Sequence, residues 1–439
     1  MGNRTRLSRR DFLKASSVTF AALSLAACAP VPPSQPTEEV PAETAQVPPE
    51  QEAVEVIFWH NTGEAPVQQR MDNLAAAFHE GHPNITVRCE YMGSSREFLE
   101  KVITSLAGGA PPHLSFGFPQ WATKFYDEGA TVALNAYISG DAGFDKDDHQ
   151  DATWFPATWK GQIVAMPQTY HPYVLYYNTD AFGEMGAQVP TNWEELLEVA
   201  ALLTRDADGD GKVDRWGIEL ATDDAWYWLN FHRNNGGEYV NEARTEFLWN
   251  TQEGVEAMGL LDTLFNDLHA VPLGSVAQGF EMGLVAMVIC GPWRIERYMA
   301  AKAAFDVTLV PWKKKPLVEA NVDMVLMYKT SEAEQEAAWE WLKVFVGRDY
   351  QKQVAMNGYY YPLLKSVAAD PEYASWLDNV PVMKHLVELE GQWTTMETTK
   401  AGDEPVDILQ REMDLALRRE KGLQQALDDA TAEANALLV

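Results

Sequence analysis

Cysteine is scarce in this chain: Cys28, Cys89 and Cys290 are the only three in 439 residues. That excludes a disulfide-dense scaffold, and Cys89 and Cys290, each inside an apolar strand-like run, are expected as buried free thiols. Basic residues are also few, 34 against 64 acidic ones, for a formal charge of −30. Nucleic acid and anionic membrane surfaces need a positive face, so both are excluded as partners, whereas a cationic small ligand is not. There is no Gly-x-Ser-x-Gly elbow, no Gly-rich phosphate loop ending in Lys-Ser/Thr and no internal repeat. His79-Glu80-Gly81-His82 carries histidines three apart rather than four, and Pro83 ends the segment, which argues against a zinc-protease helix.

What is present begins with an address. Arg4, Arg6, Arg9, Arg10 and Lys14 make a basic start, and Ser8-Arg9-Arg10-Asp11-Phe12-Leu13-Lys14 resembles a twin-arginine export signal. The apolar run Ala15 to Ala27 is too short for a spanning helix, which needs about 20 apolar residues. It ends in Leu25-Ala26-Ala27-Cys28, which resembles a lipoprotein box with Cys28 as the lipidated N-terminus of the mature chain. Residues 1–28 are therefore expected as a lipoprotein signal. Residues 29–53, rich in proline and glutamate, are expected as an extended tether.

From Val54 onward, β-rich runs alternate with amphipathic helices. The spacing predicts a strand at 54–60, a helix at 65–81 and a strand at 85–91, a β-α-β unit. Further strands are expected at 113–118, 162–167, 173–178, 284–290, 305–310 and 322–328. Helices are expected after a Thr191 to Glu194 capping box, at 253–269, at 333–347, and along 405–438 with an interruption at Gly422. The alternation predicts an α/β fold with mostly parallel sheets.

Three ordered blocks then carry a resemblance: Trp159-Lys160-Gly161-Gln162 through Tyr176-Tyr177-Asn178, Pro190 to Leu196, and Gly283 to Met287 with Gly291-Pro292-Trp293. Together behind an export signal, they resemble the extracellular solute-binding proteins of carbohydrate ABC importers, the family that includes maltose-binding protein. Asn321-Val322-Asp323 departs from the glycine pair often found there. The resemblance implies a two-lobe periplasmic-binding-protein-like fold with hinge strands and a ligand cleft. It implies a first lobe of 54–168 plus 306–360 and a second of 169–305 plus 361–439, with crossings near Pro167-Gln168, Phe305 and Tyr361-Pro362. It also implies a monomer, anchored on the outer face of the membrane, that hands a mono- or oligosaccharide to permease subunits without catalysis.

A sugar presents an apolar face edged with hydroxyls, so aromatic plates and carboxylate or amide rims are sought near strand ends. The candidates are Trp59, His60 and Glu64 after the first strand, Phe118 and Gln120 after the third, and Tyr170 on a crossing strand. Asp224, Trp226, Trp293, Tyr360 and Trp393 complete the set, with Trp293 foremost. Asp206, Asp208, Asp210, Lys212 and Asp214 have the spacing of an oxygen-ligand calcium loop, although position 12 is Gly217 where a glutamate is usual; a solvated Asp-Gly turn is the alternative. No cofactor is required. A polyamine is the runner-up ligand, held by aromatics and carboxylates. A glycerol-phosphate-type solute is less favoured because Arg294 and Lys160 are the basic residues expected in the cleft, and a glycoside hydrolase has abundant carboxylates but no motif.

Overall fold

A computed structural model describes residues 53–439. The export signal, Cys28 and all but the last residue of the tether lie outside the described residues. The chain opens with strands β1 (Val54–His60) and β2 (Ile85–Tyr91) around the helix Ala65–Gly81, at the bounds the periodicity predicts. Along β1, Val56, Phe58 and His60 are buried while their neighbours are less so, the period of two expected of a pleated strand. Phe58 meets Phe116, Phe345 and Trp341 edge-on, at ring-centre distances of 5.3, 5.0 and 6.2 Å, and so fastens the sheet to the helix Glu332–Phe345.

Strand β3 (Leu114–Gly117) is parallel to β1, and a short hairpin follows from β4 (Thr158–Trp159) and β5 (Gln162–Ile163). Strand β6 (Met166–Pro172) runs through Tyr173 directly into β7 (Val174–Asn178), yet the two belong to different sheets. β7 pairs antiparallel with β8 (Met287–Cys290) and β9 (Phe305–Thr308). The ten-residue β10 (Val318–Met327) pairs antiparallel with β6 and β3, and its first two residues pair parallel with β11 (Trp393–Thr394). The first sheet is thus mixed and the second antiparallel, not mostly parallel as expected. Strand composition reports burial rather than direction, and the strands that cross between bodies return against their neighbours.

Each sheet is covered on both faces. One face of the first carries Phe58, Trp341 and Phe345, and the other carries Phe98, Trp121, Phe125 and Tyr373. The second lobe buries Trp228, Trp249 and Leu409 on one side and Tyr176, Tyr298 and Met383 on the other. Packing moves the crossings from their expected places. The first falls at Tyr173. The second falls at the start of β10, because β9 with Leu309 and Val310 still belongs to the second lobe. The third falls between Tyr373, in the first-lobe core, and Val380, in the second.

The helix Trp193–Leu203 is capped by Asn192, which accepts from the Glu195 amide, one residue later than the predicted box. The tail forms helices Glu404–Leu417 and Leu423–Ala436, broken at Gly422 as expected. Cys89 and Cys290 are free thiols in separate lobes. His79 and His82 each direct a ring nitrogen at a nearby backbone carbonyl at 2.8 and 3.1 Å, and so serve the helix end. Among the described residues, no helix is long and apolar enough to cross a membrane.

Candidate functional site

Between the lobes lies a cavity of about 830 Å³. Its floor is the crossing ladder itself. Thr169, His171 and Tyr173 of β6 and its extension project to this side by strand alternation, and Asn321 and Asp323 of β10 meet them. The register between β6 and β10 slips between Asp323 and Met324, leaving Gln168 as an extra residue that also reaches the cavity. Thr169 donates its hydroxyl to Asp323 at 2.7 Å, and the His171 Nδ1 lies 3.9 Å from the same carboxylate. His171 is buried, and desolvation holds its imidazole below the ordinary range against the opposing pull of Asp323.

Aromatic rings wall the space. His171 meets Trp293 and Tyr360 edge-on at 5.3 and 5.5 Å. Tyr173 meets Trp293 edge-on at 5.5 Å. On its other flank it stacks on Trp226 at 5.9 Å with planes 8° apart. Trp293 comes from the turn that follows β8, Tyr360 from the segment after the helix Arg348–Gly358, and Phe118 from the N-cap of the helix Pro119–Asp127. Glu64 stands at the N-cap position of the helix Ala65–Gly81, on the exposed rim, without a capping side-chain bond.

Four of the residues singled out from sequence therefore line the cavity: Glu64, Phe118, Trp293 and Tyr360. Seven do not. Trp59 donates its indole N–H to Glu90 at 2.8 Å on the neighbouring strand. His60 is buried against Tyr91 and Phe116, its imidazole pushed down to about 4 by burial. Gln120 is buried close to Asp403, the residue that accepts from the indole of the adjacent Trp121. Tyr170 faces the opposite side of β6, edge-on to Tyr361 and Trp393 at 5.9 and 5.3 Å, which places Trp393 behind the floor too. Asp224 caps the helix Ala225–Asn234 by accepting from the Trp226 amide at 3.0 Å, and burial pushes its carboxyl up to about 6. Trp226 supports Tyr173 from behind.

Sequence reading missed His171, Tyr173, Asp323 and Arg70. One signal was available: Asn321 and Asp323 are the polar pair that departs from the family glycines, inside an otherwise apolar strand. Arg70 lies beyond the first turn of its helix, where nothing local marks it as facing a cleft. Its Nη2 approaches Glu296 of the second lobe at 3.8 Å.

Away from the cavity, the carboxylates of Asp206, Asp208 and Asp210 converge, with ligand atoms all within 4.8 Å of one another. Asp206 accepts from the amides of Gly209 and Gly211 at 2.7 and 2.8 Å, the Lys212 ammonium sits 2.8 Å from Asp210, and Asp214 accepts from the Ala207 amide. Among the described residues Asp214 does not join the convergent group, and Glu219, the first glutamate after Gly217, accepts from Ser275 at 3.2 Å.

Known proteins share this frame. The sn-glycerol-3-phosphate-binding periplasmic protein of Salmonella typhimurium is 28% identical over 217 residues, 47% of this chain and 48% of that one. The match thus spans about half the length of that relative. The ABC substrate-binding protein of Listeria monocytogenes in complex with cycloalternan superposes with a TM-score of 0.78 at 20% identity, covering 88% of this chain and 99% of that one. The maltose/maltodextrin-binding domain of Bdellovibrio bacteriovorus bound to maltotriose gives 0.77 at 22% identity, covering 87% and 99%. Both share the two-lobe fold. With a family model matching residues 73–380, across both lobes and the cavity between them, the chain belongs to the bacterial extracellular solute-binding proteins.

Proposed function

We propose that the protein captures an extracytoplasmic carbohydrate in the interlobe cavity and presents it to an ABC-type permease, with no chemical step. The observation that carries this reading is the cavity wall: Trp293 and Tyr173 from one side and Tyr360 and Phe118 from the other, over a polar floor of Gln168, His171 and Asp323. Rings of this kind cover the apolar face of a sugar, and the floor supplies donors and acceptors for its hydroxyls. Ligand that touches both lobes favours the closed arrangement over the open one, and the closed arrangement is the form a permease reads. Cys28 is the proposed lipid attachment and residues 29–53 the tether that holds a monomeric body off the membrane. The acidic loop at 206–214 is proposed to hold calcium weakly, with Asp206, Asp208 and Asp210 as ligands and Lys212 displaced by the ion.

A thermal-shift screen of the purified chain against neutral and acidic sugars, spermidine and sn-glycerol 3-phosphate tests the ligand class. A sugar at 100 times its Kd adds about 2.7 kcal/mol to folded-state stability, and the same sugar incubated with the protein is recovered uncleaved. Stabilisation by spermidine alone, or cleavage abolished by changing a cleft carboxylate, overturns the reading.

A further inference from the structure

Two guanidinium groups line the cavity without a hydrogen-bond acceptor among the described residues. Arg70 is held by the first lobe with its side chain 16% exposed, and its Nε is buried with no partner. Among the described residues its ion-pair partner is Glu296 at 3.8 Å, beyond hydrogen-bond reach. Arg294 follows Trp293 in the second lobe, half-buried, and its guanidinium makes no hydrogen bond or ion pair with another described residue. Arg297, on the same wall, is by contrast bound by Glu281. Leaving a buried N–H unmet costs about 1–3 kcal/mol, and more for a charged group, so the unmet Nε of Arg70, with the unpaired Arg294 on the same lining, points to what fills the cavity.

The nearby carboxylates among the described residues do not supply the missing acceptor. Asp323 accepts from Thr169 at 2.7 Å and pairs with neither arginine, Glu64 stands exposed at the rim, Glu296 stays at its distance from Arg70, and Glu219, whose charge acts on Arg294, accepts from Ser275 without forming an ion pair. Nor does the bulk of the protein explain the arginines: with 64 acidic against 34 basic residues overall, the cavity is a local island where the two signs balance.

Resting on the carbohydrate reading and narrowing it, we propose that the captured solute carries an anionic oxygen group, a carboxylate or a phosphate, recognised by Arg70 and Arg294. A planar guanidinium pairs two parallel N–H donors with two such oxygens, a match that a neutral hydroxyl offers only singly. The rings hold the sugar body while the arginines select its charge. Of the two basic residues expected in the cleft, Arg294 lines the cavity whereas Lys160 pairs with Asp127 at 2.8 Å outside it, and Arg70 and Arg297 are there in addition.

The test is calorimetry on the full chain with galacturonate and digalacturonate as carboxylate probes, and glucose 6-phosphate and sn-glycerol 3-phosphate as phosphate probes. Galactose, glucose and maltotriose are the neutral counterparts. At least one anionic probe is expected to bind at least tenfold more tightly than its neutral counterpart. Arg70→Gln and Arg294→Gln are each expected to weaken it tenfold or more, with Arg294→Lys restoring part of the loss and ligand-free melting unchanged. Which arm binds tells carboxylate from phosphate. Neutral sugars binding as tightly as acidic ones, arginine variants of unchanged affinity, or no anionic probe binding at all overturns the inference. The first of these outcomes leaves the carbohydrate reading standing. Binding of sn-glycerol 3-phosphate with no sugar of either kind removes that reading and leaves the anion selection intact.

Discussion

Gly291 and Trp293 occupy the same small volume: a Cβ on Gly291 would lie 1.8 Å from the Trp293 ring. The missing side chain is what lets the indole fold back over the turn and face His171 and Tyr173. Gly291→Ala is therefore expected to push the ring aside and weaken ligand binding tenfold or more. Trp293→Ala is expected to do the same while the fold survives, since the ring is only half-buried. Calorimetry with the sugar giving the largest thermal shift checks both, and unchanged affinity in Trp293→Ala removes the cavity from consideration as the ligand site.

Arg233 holds the second lobe to the crossing strand. Its guanidinium donates to Glu319 at 2.8 Å, to Glu238 at 2.6 Å and to Glu397 at 2.8 Å, and Glu319 is 1% exposed. Arg233→Ala strands a buried carboxylate and is expected to cost about 3–5 kcal/mol. Urea denaturation at pH 7 measures the loss, and protonation of Glu319 at lower pH is expected to recover part of it.

Acid is expected to destabilise the fold through its buried histidines. Burial pushes His60, His149 and His232 down to about 4. A depressed imidazole contributes stability that is full above the unfolded value of about 6.5 and is lost as pH falls from there towards 4, up to about 3 kcal/mol for one such group. Asp224 has the opposite sign: raised to about 6, its contribution is full below the ordinary carboxylate range and lost as pH rises towards 6. Burial raises Glu219, Glu319 and Asp403 in the same sense as Asp224, so the histidine share is read as the part of the urea-midpoint slope between pH 6.5 and 4 that a histidine variant removes. His149 lies between Phe144 and Trp154, and His149→Phe is expected to flatten the slope.

Calcium is expected to raise the melting temperature by a few degrees at millimolar concentration, and Asp206→Asn or Asp208→Asn to abolish the shift. Equal melting with calcium and with a chelator leaves the loop as a solvated turn, the alternative its sequence allows.

Periodicity revealed most of the elements because it depends on local burial alone: the strand Val54–His60 and the helix Ala65–Gly81 each have a face that must meet a core. The site was less legible for a geometric reason. Tyr170 and Tyr173 are equally plausible from composition, yet they sit on opposite faces of one strand, and a single extra residue at Gln168 decides which residues reach the ligand side. Arg70 reads as a surface cation until a second body is brought against its helix. The crossings were misplaced for a similar cause, since β9 and β10 are both β-rich and only partner choice separates the sheets.

One further consequence follows from the ten residues of β10. Its first two are tied to β11 on the second-lobe side, and its last four to β3 in the first-lobe sheet. Any swing of one half against the other must be absorbed as torsion in the few peptides between those anchors, and Asn321 and Asp323 hang from that stretch. The axle of the molecule and the floor beneath its cargo are one piece of backbone, so a solute settling there stiffens the joint it turns on.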